Sequence, residues 1–523
     1  MWTRQLLKVT LFWARLGFIS ASASASTSPS SILFEGGTII AFNRTTEALE
    51  VIRNGSLLVT GDRIAGIFSA GASLPPLSAR TERVDVTGKI ISPGFVDTHR
   101  HGWQTGLKTL ASNTSLVEYY SRYSEYAAAG VLTPDDVYIG QLAGLYESLN
   151  AGVTTTLDHA HHTWSNATAE AGLRASIHST ARVFWAYTFH NVSGFEIPEQ
   201  LGNFRDIATK ASFRGSATSL GIAYDDFGRN PNAAEVRSII DLAEEFNVSV
   251  ITTHSVQGLW GLDNAPEDFE ALGILNSSIP IVFSHASYLT PVGAQLLRAN
   301  NQYISITPES EMHYGHTHPE SRLIQDQASL GVDTHLTFST DLLTQARLWL
   351  QVTRRQLYAH VLNDWRVPAN NPMSAYQAFM LATRHGGLAL RRGHELGILA
   401  AGAKADLVVW DAATSPALLG WIDPVAAIIL HASVADIEHV LVDGVFRKRD
   451  FRLTNPEYYT AIQDRLRASA ARIRKVFVDR PLPVVSGTYG GTGNGTGGFE
   501  YSPALTVDTL RGPGNGYGDV FWT

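Results

Sequence analysis

The chain of 523 residues has no cysteine and only four methionines. Without thiols there is no disulfide, no cysteine nucleophile, no iron–sulfur cluster and no thiolate zinc site. Zinc deaminases that hold their metal on cysteines are excluded too. Any metal must sit on His, Asp or Glu, and the chain carries 18 His. A block of basic residues is also missing, and 48 acidic against 40 basic residues leave a formal charge of −8. A nucleic-acid partner is therefore not expected. Beyond the N-terminal segment no run reaches the roughly 18 apolar residues of a membrane span. Hydrophobic residues at 44% and charged residues at 17% are a globular composition. The length suits two to four domains, or one large α/β barrel with additions.

Acidic residues are absent from the first 34 positions. Arg4 and Lys8 precede an apolar run from Val9 to Ile19, broken only by Arg15. An alternating Ser/Ala stretch follows, with A-x-A sites at Ala21-Ser22-Ala23 and Ala23-Ser24-Ala25. Residues 1–26 read as a secretory signal; the acid-poor, Ser-rich composition also fits an organellar transit peptide. Asn43, Asn54, Asn113, Asn166, Asn191, Asn247, Asn276 and Asn494 each open an N-x-S/T sequon. About three would be expected by chance, so the excess favours a secreted glycoprotein over a cytoplasmic or organellar protein.

Short alternating segments with turn signals at Asn54-Gly55 and Thr60-Gly61-Asp62 fill 32–90, and 395–455 is similar. The two ends are expected to form one small β-sandwich domain. Between them, 91–394 alternates apolar strand candidates with helical-period stretches, the rhythm of a (β/α)8 TIM barrel. The strand candidates are 91–99, 152–160, 174–184, 219–227, 248–256, 279–287, 303–311 and 335–343. Residues 456–523 read as a C-terminal helix and a Gly-rich tail.

Barrel enzymes carry their chemistry at the C-terminal strand ends. Strand one ends Asp97-Thr98-His99-Arg100-His101, and residues two apart in a strand share a face. Strand five ends at His254, strand six at His285, and the expected strand eight at Asp341. Imidazoles with a carboxylate suit one Zn²⁺ or, less specifically, Fe²⁺. Such a cation lowers the pKa of its water from 15.7 towards about 7. His159, His161 and His162, and His313, His316 and His318, are further candidates for lining the pocket. Trp103, Trp164 and Trp185 are candidates for stacking on a flat substrate.

Three stretches carry a resemblance. They are Gly88-Lys89-Ile90-Ile91-Ser92-Pro93-Gly94-Phe95-Val96-Asp97-Thr98-His99-Arg100-His101, Gly152-Val153-Thr154-Thr155-Thr156, and the closure from Leu396-Gly397 to Asp443-Gly444. Over about 32–455 the chain resembles the amidohydrolase superfamily, in the clade of cytosine deaminase, S-adenosylhomocysteine/methylthioadenosine deaminase and triazine hydrolases. The resemblance implies that His99, His101, His254 and Asp341 bind one metal. It implies that His285 contacts the bound water or substrate and that Asp341 moves a proton. Strand four, Leu220 to Asp226, has no Lys to bridge a second ion.

One position departs from the deaminases, which carry a Glu three residues after the strand-five His to protonate the substrate ring. Here it is Gln257, which hydrogen-bonds but delivers no proton. Glu309 or Glu311 is the candidate replacement. The expected function is a metal-dependent hydrolase of non-peptide carbon–nitrogen bonds in a small cyclic or heteroaromatic molecule. The alternative is cleavage of another bond on the same scaffold, such as dechlorination, lactam or ester opening, or a lyase reaction. A non-enzymatic relative would have lost its ligands. The expected partner is a small-molecule substrate; a homo-oligomer is left open.

Overall fold

A computed structural model describes residues 31–211, 213–228, 231–316, 320–490 and 498–504. The segment 1–26, His318 and Asn494 lie outside them.

Both ends of the chain build one nine-stranded sheet. Its first five strands are β1 (Ser31–Asn43), β2 (Ala48–Thr60), β3 (Arg63–Phe68), β4 (Thr81–Asp85) and β5 (Ile90–Pro93). Its last four are β14 (Leu407–Trp410), β15 (Ile437–Val442), β16 (Val445–Arg449) and β17 (Arg452–Leu453). The halves join where β5 pairs antiparallel with β14, Leu407 opposite Pro93. The terminal sheet thus includes Pro93, a few residues past the expected join. Gly94 makes the turn into the barrel, and a Cβ there would meet the Thr154 hydroxyl at 2.1 Å, so the close approach requires glycine.

Eight parallel strands follow, each bonded to the next in chain order. They are β6 (Phe95–Arg100), β7 (Val153–Ala160), β8 (Arg182–Phe189), β9 (Ser219–Tyr224), β10 (Ile251–Val256), β11 (Ile281–Ser287), β12 (Tyr303–Ile306) and β13 (Ala328–Leu330). The first and last meet through Val332 N and Asp333 N, which donate to the His99 carbonyl at 2.9 and 2.8 Å. Helices cover the strands outside, and the fold is the (β/α)8 barrel that the sequence rhythm predicts. Strands β6, β7, β8, β11, β12 and β13 are buried along their whole length, as barrel strands packed on both faces must be.

Three strand expectations shift. The stretch expected as strand three is mostly helix, Asn166–Ser179, capped by Ser165 and ended by Thr180 at φ +60°. Its apolar residues sit on one helical face, and the strand begins at Arg182 instead. Strand seven stops at Ile306 because Pro308 opens the helix Pro308–Tyr314. The eighth strand is Ala328–Leu330, not 335–343. Residues 342–363 of that neighbourhood are a helix, with Ser339-Thr340-Asp341 leading into it.

The barrel and the terminal sheet are pinned by a buried ion-pair cluster. Arg182, at the start of β8, donates to both carboxylate oxygens of Asp406 at 2.8 and 3.1 Å and to Asp443 at 2.6 Å. A bidentate guanidinium–carboxylate pair of this kind fixes orientation as well as distance.

Candidate metal and active site

At the C-terminal ends of the strands, imidazoles from β6, β10 and β11 meet a carboxylate that follows β13. The His101 and His254 Nε2 atoms stand 3.3 Å apart. Asp333 Oδ1 lies 3.2 Å from His101 Nε2 and 3.5 Å from His99 Nε2, and Asp333 Oδ2 lies 3.9 Å from His285 Nε2. His99, His101 and Asp333 form one group able to hold an ion, and His99, His159 and His254 form an overlapping one.

Each ring is fixed by its other nitrogen. His101 Nδ1 donates to the His159 carbonyl at 2.8 Å, and His254 Nδ1 donates to Asp225 Oδ2 at 2.8 Å. His99 Nδ1 pairs with the Ser284 hydroxyl, and His285 Nδ1 with the Thr307 hydroxyl. With the proton on Nδ1, the Nε2 of His101 and of His254 carries an outward lone pair. His99 Nε2 is buried and has no hydrogen-bond partner. Electron pairs facing one another across 3.2–3.5 Å repel unless a cation sits among them. Tetrahedral ligands at 2.0–2.1 Å from an ion are about 3.3–3.4 Å apart, so the donor set fits a first-row divalent metal.

Burial holds His99 well below the usual imidazole range and takes His285 down to about 4 and His159 to about 3. These rings are neutral at neutral pH, as ligands must be. Burial alone would also lower His254, but the Asp225 carboxylate outweighs it and raises the ring. For Asp333, burial pushes up; the neighbouring imidazoles of His101, His99 and His285 outweigh it and hold the carboxyl well below its usual range.

Backbone strain aims two of these groups. A bulge opposite β10 leaves His285 at φ +70° and Ala286 at +52°, and Asp333 sits at +67°. Left-handed backbone at non-glycine residues persists only where the surroundings enforce it. Gly331 permits the approach: a Cβ there would meet the His99 backbone nitrogen at 2.9 Å.

Of the residues singled out in the sequence, the structure gathers His99, His101, His254 and His285. It does not bring Asp341 to them. That side chain caps the helix Leu342–Asn363, accepting from Leu343 N at 2.9 Å and from the Thr344 hydroxyl at 2.6 Å. The carboxylate in the cluster is Asp333, which no strand-end pattern in the sequence marks. Ser-Thr-Asp before Leu-Leu resembles a strand end but is a helix N-cap. The true strand is only three residues long. Glu309 is likewise engaged elsewhere, accepting from Gln345 Nε2 at 2.9 Å, and burial raises its carboxyl. Glu311 is the buried one nearer the site, with Oε1 3.6 Å from His285 Nδ1 and accepting from Thr307 N. Gln257 follows β10, its amide 3.4 Å from the Ser255 hydroxyl, and is not in the described cavity wall.

Above the cluster opens a cavity of about 380 Å³. His161 and His316 line it, and His161 stacks on His101 at 3.8 Å. Trp103 and Trp164 are buried and pack against each other at 5.1 Å, and Trp185 is buried as well. The aromatic wall is mostly tyrosine instead, Tyr119, Tyr120, Tyr126, Tyr314 and Tyr489, with Phe189.

Fold and site together define a metal-dependent barrel hydrolase. The model of the amidohydrolase family matches residues 90–447, and the chain belongs to that family; it is an enzyme. A 5-methylthioadenosine/S-adenosylhomocysteine deaminase of Pelotomaculum thermopropionicum is 26% identical over 433 residues, covering 80% of this chain and 94% of the relative. An adenosine deaminase from Xanthomonas campestris, solved with bound zinc, superposes with TM-score 0.71 at 17% identity, covering 85% of this chain and 98% of that one. Atrazine chlorohydrolase from Arthrobacter aurescens TC1, complexed with zinc, gives 0.69 at 18% identity, over 84% and 100%. These two show the shared fold.

Asp225 accepts from both the backbone and the ring of His254. Asp225→Asn keeps the acceptor for the backbone and puts an NH₂ against Nδ1–H. Metal affinity should fall about 10–100-fold in a chelator competition titration. Unchanged affinity would mean that His254 is not oriented through this contact.

Proposed function

We propose that the chain is a zinc-dependent hydrolase that removes an exocyclic amine from a heteroaromatic ring of the nucleoside class. His99, His101, His254 and Asp333 hold a single ion. The observation that carries this is the convergence of the His99 and His101 Nε2 atoms on Asp333, with His254 Nε2 3.3 Å from that of His101. Relatives that are named deaminases of adenine nucleosides support the choice of bond.

When bound, such an ion supplies Lewis acidity that makes water a nucleophile near neutral pH. The protein's own groups do the rest. Asp333, kept ionised by its imidazole neighbours, accepts the proton of the attacking water and returns it to the departing nitrogen. His285 stands beside Asp333 and His99, with its Nδ1 fixed by Thr307, and its Nε2 is the group that stabilises charge developing on the substrate. Tyrosine rings offer flat walls to a planar substrate and exclude water.

The lack of a ring acid favours a second reading: Gln257 is an amide and lies outside the described cavity wall. An amide cannot protonate a ring nitrogen, so a substrate whose leaving group departs unaided, or a lactam or ester, suits the site as well. Apo protein prepared with a chelator and reloaded with zinc separates the two. Ammonia release from an aminopurine nucleoside, absent without zinc, is the expected result. Hydrolysis of a chlorinated ring or a lactam with no ammonia from any aminated ring would select the second reading.

We also propose that the protein is a secreted glycoprotein. Of the seven described sequon asparagines, six are exposed and Asn43 is half-buried, so none needs the core to open. Protein expressed through a eukaryotic secretory pathway should lose mass on treatment with an N-glycosidase. An unchanged mass would overturn the assignment.

A further inference from the structure

The cavity is charged on one side only. Among the described residues its wall holds Glu125, Asp225, Asp226 and Asp333 but no lysine or arginine. Asp225 and Asp333 are engaged by the imidazoles. Glu125 and Asp226 are spare: no other described residue pairs with either carboxylate through its side chain. Glu125 is half-buried and Asp226 is exposed at the cavity rim; partial desolvation makes both hold a proton more tightly than usual, and for Asp226 the neighbouring Asp225 and Glu235 add to the effect. Carboxylates in that condition are stabilised by a positive charge. Tyr119, Tyr120 and Tyr126 come from the same stretch of chain as Glu125 and line the same space. The face of a tyrosine ring attracts a cation.

We propose that the cavity selects its substrate by charge: the part that does not react carries an ammonium, amidinium or guanidinium group. Glu125 and Asp226 receive that group against the tyrosine rings, and analogues bearing a phosphate or carboxylate are turned away. The inference rests on the reading that the reacting end is an aminated heteroaromatic ring. It adds what the rest of the molecule must be.

The test uses the zinc-loaded full chain and three adenine nucleosides that differ only at the 5′ position: 5′-amino-5′-deoxyadenosine, 5′-deoxyadenosine and adenosine 5′-monophosphate. Ammonia release gives kcat/KM for each. Calorimetry with the matching purine ribosides, which lack the ring amine, gives binding without turnover. The amino compound should bind about tenfold tighter than the uncharged one, with the phosphate weakest. The double variant Glu125→Gln, Asp226→Asn should bring the amino and uncharged compounds within about twofold of each other. A phosphate that binds as well as the amine, or a ranking that the double variant leaves intact, would overturn the proposal. Charge ranking without ammonia release would reject deamination and uphold the charge selection.

Discussion

Everything at the barrel mouth follows from lone pairs that face one another with no proton between them. His101 and His254 have spent their Nδ1 protons on a carbonyl and a carboxylate. Their Nε2 atoms are therefore acceptors, and so is Asp333. In a buried space this arrangement is costly on its own, and it is paired with strained backbone at His285 and Asp333. A cation turns the same arrangement from repulsive to attractive. The surrounding hydroxyls and Asp225 then serve to keep each tautomer as it is.

Much of this was legible in the sequence because strand-end imidazoles announce themselves. His99 and His101 stand two apart in one strand, and His254 and His285 close apolar runs at the barrel's rhythm. Asp333 left no comparable signal. Its strand is only Ala328–Leu330, too short for alternation to register, and a helix cap eight residues later imitates the expected pattern. Asp225 was visible only as a place without lysine. Its work is to hold a histidine 29 positions away, a partnership that spacing cannot reveal. Strand three was misplaced because a buried helical face and a buried strand are both apolar runs, and the left-handed Thr180 that separates them has no sequence signature of its own. The composite sheet, by contrast, followed from similar β-rich segments at both ends.

The cavity above the cluster sets the limits on substrate. Its aromatic surface is mostly tyrosine, and the tryptophans that follow the strand ends are buried in packing. Its carboxylates leave no described cation to receive an acidic substrate. Gln257, three residues after His254 and outside the described cavity wall, offers no proton, so proton transfer falls to groups nearer the cluster, and Asp333 is the one placed to do it.

The identity of the fourth ligand is the point on which the account stands most directly. Metal content after dialysis, measured by elemental analysis on Asp333→Ala and Asp341→Asn side by side, decides it. The account predicts that Asp341→Asn retains one ion per chain while Asp333→Ala loses it. Retention by Asp333→Ala with loss from Asp341→Asn would contradict it.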